Sequence, residues 1–489
     1  MSHTITQKNR TDTTVITLDT LPPGTECNSP SSTKVTGSLP HGVTSKMLYK
    51  DILRIASPTC IELALTSLVS MVDLMMVGNL GTGAISAVGL TTQPKFILMT
   101  MVMAMNVGAT SLVAQSKGAN NRDKANVYMR QALIMNLALA VLLSIIGFIT
   151  ARSLVLFMGA ETDKILQDGT TYLQIQMISF VFFAITSTIT AVLRGIGNSK
   201  SAMYYNSIAN LVNIGLNYVL INGHLGFPRL EVAGASLATA ISQVVACILA
   251  VAALTTKDSY LHIGLKDDFR PRLTPCKEIS SIGLPAALEQ MMMRAGTMIF
   301  SRTIASLGTL EFAAHQILMN IQTLTMMNGQ VFSVSATSLM GQSIGKKRYD
   351  MAQLYTSRCQ RSGMTVAIIL GITFVIFGRQ LSSLYTNDPD CIAICVSILW
   401  IVAIIQPFQA SQFIVAGALR GAGDTKFAAK LTFFTVMLLR PGLAILAVNG
   451  LGLGLPGAWL AISADQILRA IVIMGRYYSG KWKQLKRYV

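Results

Sequence analysis

The chain has 489 residues, of which 52% are hydrophobic and only 12% are charged. Its mean hydropathy is +0.52, whereas about a quarter of the residues in a soluble domain are charged. The composition therefore excludes an ordinary soluble domain and predicts an integral membrane protein. The net charge of +17 does not indicate a nucleic-acid partner, because the cations fall between apolar segments without interleaved aromatic residues.

The first 45 residues differ in composition from the rest of the chain. They are rich in Thr, Ser, Pro and Gly and contain no apolar run that could act as a signal-peptide core. We therefore predict that residues 1–45 form a disordered tail.

Twelve apolar segments follow, six on each side of a polar linker at 257–277. The first six span 51–77, 84–115, 126–158, 165–194, 201–222 and 232–256. The second six span 278–307, 311–344, 351–385, 391–419, 427–449 and 457–478. Each can cross a bilayer, which needs about 20 residues. The pattern predicts an all-α membrane fold of twelve helices in two lobes, 46–256 and 278–480, followed by a basic tail at 481–489.

The loop charges predict the orientation. One set of loops, which includes the linker and the end of the chain, carries most of the Lys and Arg residues. The opposite loops carry only Arg152, Lys164, Arg229 and Arg379. By the positive-inside rule, both termini and the linker are predicted to be cytoplasmic in a multi-pass protein of the inner cell membrane.

The two groups of six segments repeat each other in sequence. With a constant shift of 227, Pro58 falls on Pro285 and Glu62 falls on Glu289. The same shift places ATSLVAQSKG from Ala109 on ATSLMGQSIG from Ala336, and a shift of 226 places RGIGNSK from Arg194 on RGAGDTK from Arg420. An even number of helices per repeat gives both halves the same orientation, with a transport path expected between them.

Acidic residues lie inside the first apolar segment. Glu62 and Asp73 are eleven residues apart, which returns to nearly the same face of a helix. Pro58 lies mid-segment and favours a bend, and Pro285 has the same place in the second half. Because ionisable groups inside a membrane usually face a cavity or a partner, this face suggests a path for cations. Packing contacts between paired side chains are the alternative.

The fifth segment carries a stripe of amides. Asn206, Asn210, Asn213 and Asn217 are spaced i, i+4, i+7 and i+11, which forms one continuous helix face. Their oxygens are suitable ligands for an ion held by Asp73. Interhelical hydrogen bonding is the alternative role for these amides.

Several motifs in this order resemble the multidrug and toxic compound extrusion (MATE) family. They are the Val72-Asp73 pair, the LRGxG and ALRGAGDTK turns, NxxNxxxN on the fifth helix and the GA turns that open helices six and twelve. The resemblance covers about residues 46 to 480. It implies two lobes around a V-shaped cleft, alternating access, and efflux of organic, often cationic, drug-like compounds in exchange for Na⁺ or H⁺. No cofactor and a monomer are expected.

The resemblance also implies roles for individual residues. Asp73 matches the coupling-ion acid of the family, Asn213 and Asn217 match its ion-site amides, and Thr239 is a further ligand by the same resemblance. Met293 and Gln409 stand where the NorM-type branch has acids, so the second lobe is expected to lack a cation site. The pattern is closer to the DinF-type branch.

Other polar residues are candidates for the substrate cleft. Lys95 lies deep in the second helix and is a candidate to neutralise Glu62 or Asp73. Arg294 is a candidate to line the cleft, which makes anionic or zwitterionic substrates an open alternative. The full set of predicted cleft residues is Glu62, Lys95, Asn210, Glu289, Arg294 and Gln409.

Rival functions remain open at this stage. The same two-lobe architecture fits a flippase for lipid-linked precursors or an exporter of an endogenous metabolite. A membrane enzyme is not supported, because the sequence has no HExxH and no paired histidines. The seven cysteines form no CxxC pair, so we expect neither a disulfide framework nor a zinc site.

Overall fold

The computed structural model describes residues 40, 43–160, 162–256, 259–264 and 267–485, and these residues contain no strand. Twelve long helices joined by short turns make up almost all of the described chain. The prediction of an all-α membrane fold with two groups of six helices is confirmed. The predicted tail at 1–45 lies largely outside the described residues.

The first lobe contains six helices. They are α1 (Ser45–Gly78), α2 (Thr82–Gly118), α3 (Arg122–Phe157), α4 (Asp163–Gly195), α5 (Ser199–Asn222) and α6 (Glu231–Thr255). Several of these helices have a side-chain N-cap. For example, Asn121 Oδ1 accepts from the backbone N–H of Lys124 at 3.0 Å, which satisfies one of the free donors at the start of α3.

The second lobe repeats this arrangement. Its helices are α7 (Leu273–Ala305), α8 (Thr309–Gly345), α9 (Tyr349–Ile376), α10 (Pro389–Gly421), α11 (Thr425–Gly450) and α12 (Gly454–Tyr478). A short helix, Gly378–Ser383, follows α9. The predicted segment 427–449 contains wider π turns at Phe433–Leu439 and Leu446–Gly450. Pro441 lies between them and has no N–H to donate within the helix, which favours a change in the hydrogen-bond register.

Nine of the described helices are long and apolar enough to cross a membrane by length and composition. The other three long helices are α5, α7 and α8. These helices carry many polar residues, including the asparagine stripe of α5 and the charged residues Glu289 and Arg294 of α7.

The two lobes exchange the first parts of their first helices. Leu48, Ile52 and Ile55 of α1 are almost fully buried in an apolar cluster built mainly from α8, α9, α10 and α12 of the second lobe. Ile279 and Ile282 of α7 are buried in a cluster built from the first lobe. Each helix therefore begins in the core of the opposite lobe and continues, beyond its proline, in its own lobe.

The linker is bound to the first lobe. Gln131 of α3 accepts from the backbone N–H of Arg272 at 2.8 Å and donates to the backbone oxygen of Arg270 at 2.9 Å. Within the linker, the Arg270 backbone N–H and the Arg272 guanidinium hold the pKa of Asp268 below its ordinary value. We call this side of the bundle, where the linker lies and where α2, α4, α8 and α10 end, the linker end.

Candidate ion and substrate sites

Asp73 lies against two amides of the predicted stripe. Asn217 donates through Nδ2 to Asp73 Oδ1. The Asn213 amide is oriented so that its oxygen faces a donor, and Asn213 Oδ1 accepts from the backbone N–H of Thr239 at 3.3 Å. In this orientation Asn213 Nδ2 donates to Asp73 Oδ1 at 2.9 Å and to Asp73 Oδ2 at 3.2 Å. The structure thus brings together Asp73, Asn213, Asn217 and Thr239 from α1, α5 and α6.

This group offers oxygen ligands to a small cation. Asn217 Oδ1 is buried and has no hydrogen-bond partner, and Thr239 Oγ1 donates to the Ala235 backbone oxygen at 3.1 Å, which leaves its lone pairs free. A carboxylate with neutral oxygens is a donor set that suits hard cations. The described residues contain no cluster of three or more His, Cys, Asp or Glu side chains that could hold a metal ion. The Asp73 group therefore offers a carboxylate and neutral oxygens to a small cation.

The asparagine stripe follows α1 along its length. Asn206 Nδ2 donates to Glu62 Oε1 at 2.7 Å, and Asn210 Nδ2 donates to Thr66 Oγ1 at 3.2 Å. These pairs and the Asn217–Asp73 pair have the same separation of 144 residues in sequence. The two helices therefore pack in a fixed register, and each amide has an interhelical partner.

Lys95 of α2 is held by a hydrogen bond to α4. Its Nζ donates to Gln176 Oε1 at 2.8 Å, and its charge attracts that of Asp73. Gln176 is held in turn, because its Nε2 donates to Ser236 Oγ at 3.2 Å. Neutralisation of Asp73 by Lys95 stays a prediction.

Glu62 has a different cation as its partner. Arg194 Nη2 lies 2.7 Å from Glu62 Oε2, and in the second lobe Arg420 Nη2 lies 2.9 Å from Glu289 Oε1. Both glutamates are only 6% exposed. The proposed substrate contacts of Glu62 and Glu289 stay predictions, and any such contact has to compete with these ion pairs.

The second lobe contains a buried charge cluster that the sequence analysis missed. Asp465 Oδ2 accepts from Arg440 Nε at 3.0 Å and from Arg469 Nη2 at 2.9 Å, and all three side chains are buried. Arg469 Nη1 also lies 3.2 Å from the Met293 sulfur. The signal was available, because Asp465 and Arg469 are spaced i, i+4 inside an apolar segment. One carboxylate here faces two guanidinium groups.

The remaining predicted cleft residues lie near the second lobe's α7 and α10. Gln409 is 2% exposed and its Oε1 has no partner, and the amide of Gln406 has no partner at either atom. Such buried unpaired amides are uncommon and leave polar groups available to a ligand or to water. Arg294 is exposed, and its guanidinium carbon lies 5.4 Å from the centre of the Phe96 ring, which joins α7 to α2.

The fold and the duplicated polar helices define a two-lobe membrane transporter. The MatE family model matches the chain twice, over residues 58–219 and 285–446, which together exceed half of its length. The chain therefore belongs to the MATE family of transporters, whose members are not enzymes. The comparison does not separate the branches, so the DinF-type assignment stays a prediction.

Known relatives extend over most of the chain. A probable multidrug resistance protein NorM of Thermotoga maritima is 29% identical over 444 residues, which cover 89% of this chain and 94% of the relative. An uncharacterized transporter YisQ of Bacillus subtilis is 28% identical, covering 87% and 93%. The NorM relative supports a role in multidrug efflux.

Solved structures share the fold. An outward-facing multidrug resistance MATE family transporter of the MOP superfamily has a TM-score of 0.83 at 23% identity, covering 90% of this chain and 97% of that chain. A MOP superfamily transporter from Pyrococcus furiosus, for which reverse polarity of the binding pocket suggests a different function, has the same score and coverage.

Proposed function

We propose that this protein exports organic, often cationic, compounds across the inner cell membrane by alternating access, in exchange for H⁺ or Na⁺. The observation that carries the proposal is the carboxylate of Asp73 inside the bundle, contacted by the amides of Asn213 and Asn217. An acid in this setting is costly unless it has a role in binding. The drug-efflux names of the relatives support the same class of substrate.

The coupling ion binds at Asp73 in this proposal. The two amides donate to the carboxylate, so a proton or Na⁺ requires at least one amide to turn and present its oxygen instead. That change alters the contact between α1 and α5 and favours a different arrangement of the lobe. The proposed hinge is Pro58, which separates the part of α1 in the second lobe from the part that carries Asp73. Pro285 is the equivalent hinge in α7.

Lys95 supplies the competition that exchange needs. With the coupling ion absent, Asp73 and Lys95 balance each other's charge. A bound H⁺ or Na⁺ neutralises Asp73 and leaves the positive charge of Lys95 unopposed, which disfavours a cationic compound nearby. Ion and compound therefore favour opposite states, and this coupling links export of the compound to the ion gradient.

A second candidate is an exporter of an endogenous metabolite that carries an acidic group. The observation that favours it is the cluster of Arg440, Asp465 and Arg469, where two guanidinium groups share one carboxylate. The excess positive charge in the second lobe would attract an acid if a conformational change opened the cluster to the cleft.

Transport by purified protein in liposomes tests the proposal. A pH gradient and a Na⁺ gradient are imposed separately, and efflux of a fluorescent organic cation is followed for the wild type and for Asp73→Asn. We expect one gradient to drive efflux, and we expect Asp73→Asn to lower it at least tenfold. Asp390→Asn, which changes an exposed acid in the first turn of α10, is the matched control.

Two results would reject parts of the proposal. Full ion-driven efflux by Asp73→Asn would exclude Asp73 as the coupling site. Failure of both gradients to move any dye of a broad panel, with uptake of small organic acids in the same vesicles, would favour the second candidate.

A further inference from the structure

Reciprocal hydrogen bonds join the two lobes at the linker end. Tyr355 of α9 donates through Oη to Asp51 Oδ2 of α1 at 2.6 Å. Tyr128 of α3 donates through Oη to Glu278 Oε2 of α7 at 2.5 Å. Each acid lies in the part of its helix that packs in the opposite lobe, and the shift of 227 relates the two pairs. Each lobe therefore holds the first helix of the other through the same contact.

A second set of contacts at the linker end joins α2 to the end of α10. Ser111 Oγ and Gln115 Nε2 of α2 donate to the backbone oxygen of Gly421 at 2.9 Å and 3.0 Å. Gly421 is the last residue of α10, where backbone oxygens have no partner within the helix. The first lobe thus satisfies the end of a helix in the second lobe.

The equivalent contact exists in the other direction. Ser338 Oγ and Gln342 Nε2 of α8 each donate at 2.9 Å to the backbone oxygen of Gly195, the last residue of α4. All of these donors are at most 5% exposed. The repeated motifs therefore contact each other across the lobe boundary. ATSLVAQSKG contacts RGAGDTK, and ATSLMGQSIG contacts RGIGNSK.

The backbones also touch at this point. A Cβ atom added to Gly118 would lie 2.0 Å from the backbone oxygen of Gln342, and one added to Gly345 would lie 2.0 Å from that of Gln115. Real Cβ atoms do not approach an oxygen so closely. At the linker end, α2 of the first lobe and α8 of the second lobe are therefore in direct backbone contact.

We propose that these contacts form a reciprocal clasp that closes the linker end, and that its release opens the transporter on that side. The clasp consists of the donors Ser111, Gln115, Tyr128, Ser338, Gln342 and Tyr355 and the acceptors Asp51, Gly195, Glu278 and Gly421. The inference rests on the alternating access of the proposed function and assigns the residues that hold one of its two states.

The ion pairs connect the clasp to the bent helices. Arg194 and Arg420 directly precede the acceptors Gly195 and Gly421, and they bind Glu62 of α1 and Glu289 of α7. These glutamates follow Pro58 and Pro285 by four residues. A bend at either proline therefore moves a glutamate, its arginine and the adjacent acceptor oxygen together, and this weakens the contact with the opposite lobe.

Hydrogen–deuterium exchange of the full-length protein in lipid nanodiscs tests the clasp without any substrate. The variant carries Ser111→Ala, Gln115→Met, Ser338→Ala and Gln342→Met, which remove the inner donors and keep similar volume. We expect amides of residues 109–118, 191–197, 336–345 and 417–423 to exchange at least tenfold faster. Four hydrogen bonds of about 1 kcal/mol each are lost, and 1.4 kcal/mol already equals a tenfold change.

A pair of neighbouring serines provides the matched control. Ser116 Oγ donates to the backbone oxygen of Leu112 in its own helix, and Ser343, which the shift of 227 relates to it, has a buried Oγ with no hydrogen-bond partner. Ser116→Ala with Ser343→Ala is expected to leave exchange within about twofold of the wild type. Should the fourfold variant fail to fold, Ser111→Ala with Gln115→Met removes the two bonds to Gly421, and we expect exchange to be at least threefold faster in both lobes.

The opposite end of the bundle separates opening from local unfolding. If the clasp holds a state of two rigid lobes, its release slows exchange at 74–81 and 301–308 as that end closes. Unchanged exchange at the linker end, or faster exchange at both ends, would overturn the clasp. The exchange measurement uses no ion or drug, so it tests the clasp even if ion-driven efflux fails. Ion-driven efflux together with unchanged exchange would reject the clasp but keep the proposed function.

Discussion

Arg194, at the end of α4, holds Glu62 of α1 with its Nη2 2.7 Å from the carboxylate. This ion pair joins α1 to the RGIGNSK turn. The second lobe has the equivalent pair, with Arg420 Nη2 2.9 Å from Glu289 Oε1. A charge pair in a membrane protein is retained at a desolvation cost, so its repetition in both halves indicates a shared structural role.

Breaking the first pair from one side destabilises the fold. Glu62→Gln leaves the Arg194 guanidinium without its counter-charge, and we expect a loss of about 3 kcal/mol, the lower end of the range for buried pairs because Arg194 is 19% exposed. Thermal unfolding in detergent measures the effect. Glu62→Gln combined with Arg194→Met should recover part of the loss, whereas equal melting temperatures for the wild type and Glu62→Gln would contradict a structural ion pair.

Replacing Lys95 changes the ion dependence of transport. Lys95→Met removes the positive charge that attracts Asp73, so H⁺ or Na⁺ meets less competition there. We expect half-maximal efflux at a coupling-ion concentration lowered at least threefold. Lys95→Arg keeps the charge and is the control. Identical ion dependence of Lys95→Met and the wild type would show that Lys95 does not compete with the ion.

Two asparagines of the same helix face separate the ion site from simple packing. Asn217→Leu removes the amide that contacts Asp73, and we expect ion-driven efflux to fall about tenfold, since one to two charge-assisted hydrogen bonds are lost. Asn210→Leu, whose amide contacts Thr66 instead, should change the ion dependence less than twofold. Equal losses in the two variants would favour an interhelical packing role for the whole stripe.

The charge cluster of the second lobe is predicted to be essential for folding. Asp465→Asn leaves Arg440 and Arg469 buried without a carboxylate, and we expect a loss of about 3–5 kcal/mol with little folded protein recovered. Size-exclusion chromatography of the solubilised protein reports the outcome. Arg469→Met in the Asp465→Asn background should restore part of the yield, and a fully folded Asp465→Asn protein would show that the guanidinium groups find other partners.

Glycine-to-alanine changes distinguish the lobe contact from general helix effects. Gly118→Ala places a Cβ 2.0 Å from the Gln342 backbone oxygen, so the lobes must separate and the melting temperature should fall. Gly475→Ala, in α12, has no atom within 4 Å of its added Cβ and should be neutral or stabilising by up to about 1 kcal/mol. A melting temperature unchanged by Gly118→Ala would mean that the linker end opens without cost.

The number of helices and the internal duplication followed from local information. A bilayer requires about 20 apolar residues per helix, and such segments can be read directly from the sequence. The helical period placed Asn213 and Asn217 on one face, and the contact of this face with Asp73 needed only that α1 and α5 be neighbours. Helix boundaries differed from the predicted ones. Helix α7 begins at Leu273, before the predicted 278, because polar residues in the first turn remain helical beyond the apolar segment.

The choice of partners depended on the tertiary structure. Nothing in the local pattern distinguished Lys95 from Arg194 as the partner of Glu62, because the two cations lie 33 and 132 residues away along the chain and only packing brings one of them close. The exchange of the first parts of α1 and α7 between lobes likewise joins residues more than 300 positions apart, such as Asp51 and Tyr355. The sequence by itself determined a duplicated membrane transporter with buried acids. Tertiary packing decided which charges neutralise each other and where the lobes meet, since those energies depend on distances that local periodicity does not specify.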